Sequence, residues 1–129
     1  MMASLNHVGL YVSDIEAAKS FFETYFGATS GAMYHNPKKS FSSYMLSFGD
    51  GTRLEIMTKP ALKDVEDRTG NYGYAHISIS VGNRERVETI TQHLVDDGYR
   101  HLDGPRTTGD GYYESAILDT EGNVIEITI

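Results

Sequence analysis

The sequence predicts an α+β fold built from two tandem βαβββ modules, each with its helix on one face of a mixed sheet. Three observations predict it. "LNHVGLYVSD" (5–14) lies over "YAHISISVGN" (74–83) at an offset of 69, each a short strand with His at its third position. "DGTRLEIMT" (50–58) lies over "TEGNVIEIT" (120–128), and with Gly51 set on Gly122, an offset of 71, Glu55 falls on Glu126. A stretch of helical periodicity follows each His strand. An internal repeat of this kind sets the architecture before any single element is assigned.

Taken in order, the first strand alternates: Val8, Leu10 and Val12 face one way, His7, Gly9 and Tyr11 the other. "SDIEAAKSFFETYFG" (13–27) then reads as a helix. Ser13 with Glu16 makes a capping box, Ile15, Ala18, Phe22 and Phe26 keep helical spacing, and Gly27 is the C-cap. Two strands are expected at about 28–35 and 40–48. In "RLEIM", Leu54 and Ile56 oppose Arg53, Glu55 and Met57. "KPALKDVEDRTGNYG" (59–73), with Pro, Gly and charges, connects the halves. The modules are therefore about 5–58 and 74–129, within a single domain.

The second module repeats the order. Ile77, Ile79 and Val81 oppose His76, Ser78 and Ser80. Asn83 caps a helix whose apolar stripe is Val87, Ile90 and Leu94 and which Gly98 ends. Strands follow at about 101–106 and 112–119. In the last one Ile125, Ile127 and Ile129 oppose Val124, Glu126 and Thr128.

Composition bounds the function. A chain of 129 residues that is 40% hydrophobic and 22% charged is an ordinary globule, long enough for one core-bearing domain. No run approaches the roughly 18 apolar residues of a membrane span, and the start lacks a basic n-region, so a cytoplasmic location is expected, with no membrane partner. With no cysteine there is no disulfide, thiolate metal site or thiol nucleophile. The net charge of −7, with Lys and Arg scattered, argues against nucleic acid.

In each of four strands one ionisable residue sits opposite the apolar face: His7, Glu55, His76 and Glu126. Singly, a His or Glu on a strand is structural or solvated. Matched positions in two halves point instead to a shared divalent-metal site, since two imidazoles and two carboxylates suit Zn²⁺, Ni²⁺, Co²⁺, Mn²⁺ or Fe²⁺. The alternative is a pair of vestiges of duplication on a solvated sheet face. His35, His93 and His101 have no such partners and are read as surface residues. The many tyrosines, Tyr34, Tyr44, Tyr72, Tyr74, Tyr112 and Tyr113 among them, are read as amphipathic sheet residues, with lining of a ligand cup as the functional alternative.

The motifs "LNHVGLYVSDIEAAKSFFETYFG", "RLEIM", "YAHISISV" and "LDTEGNVIEI" resemble the vicinal oxygen chelate superfamily, over about 5–129. That superfamily includes glyoxalase I, bleomycin-resistance proteins, methylmalonyl-CoA epimerase, fosfomycin-resistance enzymes and extradiol dioxygenases. The resemblance implies modules forming a cup around one divalent ion (Ni, Zn, Co or Mn) held by His7, Glu55, His76 and Glu126. The order His–Glu–His–Glu is that of bacterial glyoxalase I. It implies a lyase that isomerises the hemithioacetal of methylglyoxal through an enediolate, with Glu126 or Glu55 moving the proton and Glu126 favoured. Glyoxalase I enzymes commonly carry an Arg and an Asn, four residues after the first His and the first Glu, that hold glutathione. Here those positions are Tyr11 and Lys59, so the co-substrate is glutathione or another thiol; Arg53 and Arg106 are further cations considered for its carboxylates. A homodimer is expected on the same resemblance. Two other readings compete: an epimerase or isomerase of another 2-oxo or acyl-thioester substrate, and a non-catalytic binder of an antibiotic or aromatic ligand.

Overall fold

The computed structural model describes residues 1–129. The chain forms two compact units, Met1–Asp64 and Val65–Ile129, divided inside the predicted connection. No helix is long and apolar enough to cross a membrane.

In the first unit β1 (Val8–Tyr11) leads to α1 (Ile15–Phe26), then β2 (Thr29–Ser30), β3 (Tyr34–Asn36), β4 (Phe41–Ser47) and β5 (Arg53–Thr58). The sheet runs β1-β5-β4-β2, with β3 also on β4; β1 is parallel to β5 and the other pairs are antiparallel. The helix starts one residue later than the capping box predicts. Asp14, not Ser13, is the N-cap, its carboxylate accepting from the Ala17 N–H at 3.0 Å. Either residue type can cap; the extended backbone at Asp14 puts its side chain over the first turn. Gly27 ends the helix in the left-handed conformation, as expected. The single strand expected over 28–35 is two pieces. Ser30 pairs with Leu46 and Tyr34 with Ser43, so the edge carries one residue more than β4 opposes, and the ladder bulges at 31–33.

The second unit contains β6 (His76–Ser80), α2 (Arg84–Asp96), β7 (His101–Thr107), β8 (Tyr113–Leu118) and β9 (Val124–Thr128). Its sheet runs β6-β9-β8-β7, with β6 parallel to β9. The two units therefore share one topology, and the α+β architecture of two mixed-sheet modules read from the sequence is the one found. Asn83 caps α2 by accepting from the Arg86 N–H. The pairing of β7 with β8 is irregular, and Gly104 (φ 71°) sits there because a Cβ would run into the carbonyl oxygen of Glu114.

Each helix covers one face of its own sheet. In the first unit Ala18, Phe21 and Phe22 meet Leu46, Leu54 and Ile56, all buried. In the second, Val87 and Leu94 meet Ile117, Ile125 and Ile127. Each such Val, Leu, Ile or Phe side chain contributes roughly 1.5–3 kcal/mol by leaving water. Ile90 is only half buried, and Thr91 takes the core position beside it. Ile129, expected on the apolar face, is exposed at the end of the strand.

Tyrosine locks helix to sheet in both units. The Tyr44 hydroxyl donates to Glu16 at 2.6 Å with Lys19 over its ring, and Tyr113 donates to Glu88 at 2.6 Å with Arg84 over its ring. Those carboxylates raise both phenol pKa values, the hydrogen bond being the main cause. Tyr44 and Tyr113 thus serve packing, whereas Tyr34, Tyr72, Tyr74 and Tyr112 are exposed.

Candidate functional site

The sheet face away from the helix carries the candidate residues, and strand register decides which meet. In the first unit Gly9 lies opposite Glu55, two residues after His7. In the second Ser78 lies opposite Glu126, two residues after His76. The spacing is the same in both. In the second unit it puts His76 and Glu126 on one face, diagonally across a parallel strand pair, whereas His7 stands one residue ahead of β1, outside the paired residues. The residue opposite each Glu is small, which leaves the face open between imidazole and carboxylate. At Gly9 a Cβ would already come within 2.9 Å of the Met57 methyl.

The structure brings together one of the two pairs directly. His76 Nε2 is 3.0 Å from Glu126 Oε1, with 43% and 26% of the two side chains exposed. In the first unit His7 turns to its neighbour: Nδ1 is 2.7 Å from Asn6 Oδ1, which also accepts from Arg53 Nη2 at 2.7 Å. An oxygen that faces a guanidinium can only accept, so His7 Nδ1 donates to it, and in the neutral ring Nε2 then keeps its lone pair. Arg53 is thereby committed to Asn6, Arg106 donates to Asp103 at 2.7 Å, and Lys59 sits 5.2 Å from the ring centre of Tyr11. Of the residues expected at the surface, His35 bonds Ser42, His93 pairs with Asp97, and His101 bonds the Gly104 carbonyl.

Each unit thus carries one imidazole and one carboxylate at the same spacing, donor types that suit a borderline divalent ion. In neither unit does a group of three or more His, Asp or Glu gather as a metal site by itself.

One residue escaped the sequence reading. Glu114 lies opposite Thr128, two positions beyond Glu126 and on the same face, since Ala116 is opposite Glu126. Its pKa is raised, first by desolvation, then by a hydrogen bond to Glu126 and by the negative charges of Glu126 and Asp110; His76 works the other way. The repeat could not flag it, because the equivalent position of the first unit, opposite Met57, is Ser43.

Register and topology of this kind place the chain in a class. It matches the model of the Glyoxalase/Bleomycin resistance protein/Dioxygenase superfamily over residues 4–127 and belongs to that family. Solved structures share its fold. A glyoxylase/bleomycin resistance protein/dioxygenase domain from Frankia sp. EAN1pec matches with a TM-score of 0.83 at 16% identity, over 99% of this chain and 92% of the other. The trypanothione-dependent glyoxalase I of Leishmania major matches at 0.78 and 17%, over 98% and 86%. The fosfomycin resistance protein FosX of Listeria monocytogenes, in a structure with Mn(II) and sulfate, matches at 0.76 and 18%, over 99% and 93%. No curated protein sequence matches the chain.

Proposed function

We propose that the protein is a divalent-metal-dependent lyase or isomerase of the glyoxalase I type, acting on a small substrate with two adjacent oxygens. The observation that carries this reading is the common register: a His two residues before the position opposite a Glu, in both sheets. The agreement argues against chance placement; vestiges of duplication would agree as well, and metal content separates that reading from a held ion. Family membership and the Mn(II) in the FosX structure support a divalent ion as the cofactor.

His7, Glu55, His76 and Glu126 are the residues that would hold it. A bound divalent ion supplies Lewis-acid stabilisation of negative charge growing on the substrate oxygens. The protein's own part is proton transfer: Glu126 takes a proton from the carbon beside the carbonyl and returns it to the neighbouring carbon, and Glu55 is its alternate. His7, with its Nδ1 proton fixed by Asn6, presents Nε2. Tyr11 and Lys59 stack on each other at the positions where glutathione would be held in glyoxalase I, so the thiol that forms the hemithioacetal is glutathione or another. A homodimer is the assembly proposed from the family resemblance, and sedimentation would read it.

The test is metal content by mass spectrometry, followed by turnover of methylglyoxal with a panel of thiols. The expectation is about one divalent ion per chain, lost in His7→Ala and in Glu126→Ala. Glu126→Gln should lower turnover by roughly 10²–10⁴-fold with the fold intact. Wild type that stays metal-free after incubation with nickel, cobalt, manganese and zinc would overturn the enzyme reading in favour of a ligand binder.

A further inference from the structure

The connection between the modules, expected only to link them, lines a pocket in the second unit. The pocket has a volume of about 170 Å³, and Arg68, Asn71, Tyr72, Tyr74, Asn123 and Val124 are among its walls. Val124 is the residue directly opposite His76, so the pocket borders the face that carries His76 and Glu126.

Its cation is built in rather than incidental. Arg68 Nη1 donates to Asn123 Oδ1 at 3.0 Å. Asn123 is itself held: its backbone N–H donates to Asp119 Oδ1 at 2.8 Å, and its Nδ2 to Asp119 Oδ2 at 3.3 Å. Asp119 is buried in the β8–β9 turn. The loop side is organised too, since Asp67 accepts from the backbone N–H groups of Thr69 and Gly70. A guanidinium is a planar fork of five N–H donors and matches a carboxylate in two parallel bonds. Asn71 and Asn123 line the pocket with their amides tied back to the Asp67 carbonyl and to Asp119, and Tyr72 and Tyr74, both almost wholly exposed, offer flat apolar walls. A chain of net charge −7 has no general field that gathers anions, so an acid settling here would do so on local contacts.

We propose that this pocket is a carboxylate subsite: Arg68, oriented by Asn123, pairs with the acid group of an organic acid, and Tyr72 and Tyr74 flank its hydrocarbon part. That the acid belongs to the substrate of the neighbouring His76–Glu126 face rests on the function proposed above. Binding of the acid does not.

The experiment is therefore a binding one. Phenylacetate, its neutral analogue 2-phenylethanol and acetate are titrated into the full chain, followed by amide NMR shifts, for wild type, Arg68→Gln, Arg68→Lys and Tyr72→Ala. Phenylacetate should bind tighter than either control and shift amides at 68–75 and 123–124. Arg68→Gln should weaken it about tenfold or more, the loss of a charge-assisted hydrogen bond. Arg68→Lys should keep part of the affinity, and Tyr72→Ala should lower phenylacetate towards acetate. Equal binding of acid and alcohol to wild type, shifts elsewhere, or no binding would each overturn the subsite. So would an Arg68→Gln variant that binds like wild type. If Arg68→Gln does not fold, the wild-type comparison of acid and alcohol decides. Failure here would leave the metal and turnover results standing, and a metal-free protein that still binds phenylacetate through Arg68 would sink only the enzyme reading.

Discussion

Replacing Thr91 by Val tests how α2 is fastened to the sheet that carries His76, Glu114 and Glu126. Thr91 and Ser115 are 3% and 1% exposed, and their hydroxyl oxygens are 2.6 Å apart. Thr91 also donates to the Val87 carbonyl at 2.5 Å. A hydroxyl has one proton, so Thr91 accepts from Ser115, and the direction of the pair is fixed. In Thr91→Val the Ser115 hydroxyl loses its acceptor inside the core, at a cost of about 1–3 kcal/mol. In Ser115→Ala, Thr91 keeps its bond to Val87 and loses only a donor, about 0.5–1.5 kcal/mol. The double variant removes the stranded group, so its cost should fall below the sum of the two singles. Urea unfolding reads all four proteins. With a slope of about 2 kcal/mol per molar, a 2 kcal/mol loss moves the midpoint of Thr91→Val down by about 1 M. Two outcomes refute the reasoning: Ser115→Ala costing more than Thr91→Val, or the costs adding in the double variant.

Two further perturbations address the second unit. Glu114 has its pKa held above the ordinary 4.5, so between 4.5 and the folded value the folded chain keeps a proton that the unfolded chain has lost. Its contribution is fully present below 4.5 and is lost as pH rises through the folded value. In metal-free protein Glu114→Gln should flatten that slope and gain on wild type from pH 4 to pH 8; parallel melting curves would contradict this. Asp119 accepts from the backbone N–H groups of Glu121 and Asn123. Asp119→Ala should therefore lose about 2 kcal/mol and speed amide exchange at both positions, measured by hydrogen exchange.

The fold was legible because the repeat carries it. Leu54 and Ile56, or Ile125 and Ile127, alternate with a single Glu, and only one face of such a strand can meet a helix. The helix ends were legible where one residue type has no competitor: Gly27 and Asn83 stand where spacing puts them. At Ser13–Asp14 two good caps are adjacent, and sequence spacing alone cannot rank them. The bulge at 31–33 was illegible because register is a property of two strands, and only the pairing with β4 shows the extra residue. Glu114 was missed for a related reason. Its chemistry depends on lying one ladder step from Glu126, and its counterpart Ser43 gives the repeat no matching letter. Arg68 lay in a segment with no periodicity, and its partner Asn123 is 55 positions away.

The two His–Glu pairs share a register but not an environment, and that bears on the proton transfer proposed above. Glu55 lies between Gly9 and Met45 on its neighbouring strands, residues that offer no charge and no proton. Glu126 lies between Ser78 and Ala116, with His76 Nε2 at 3.0 Å and Glu114 one ladder step away on the same face. A general base needs somewhere to hold the proton it takes, and neighbours that bind protons themselves supply it. His7, by contrast, has its ring proton tied to Asn6 and nothing in that contact to exchange with Glu55. On the function proposed above, this asymmetry favours Glu126 for proton transfer and leaves Glu55 a holding role. Glu126→Gln should therefore lower kcat more than Glu55→Gln, while Glu55→Gln should act mainly on metal affinity. The reverse ranking would exchange the two roles and leave the register that created them untouched.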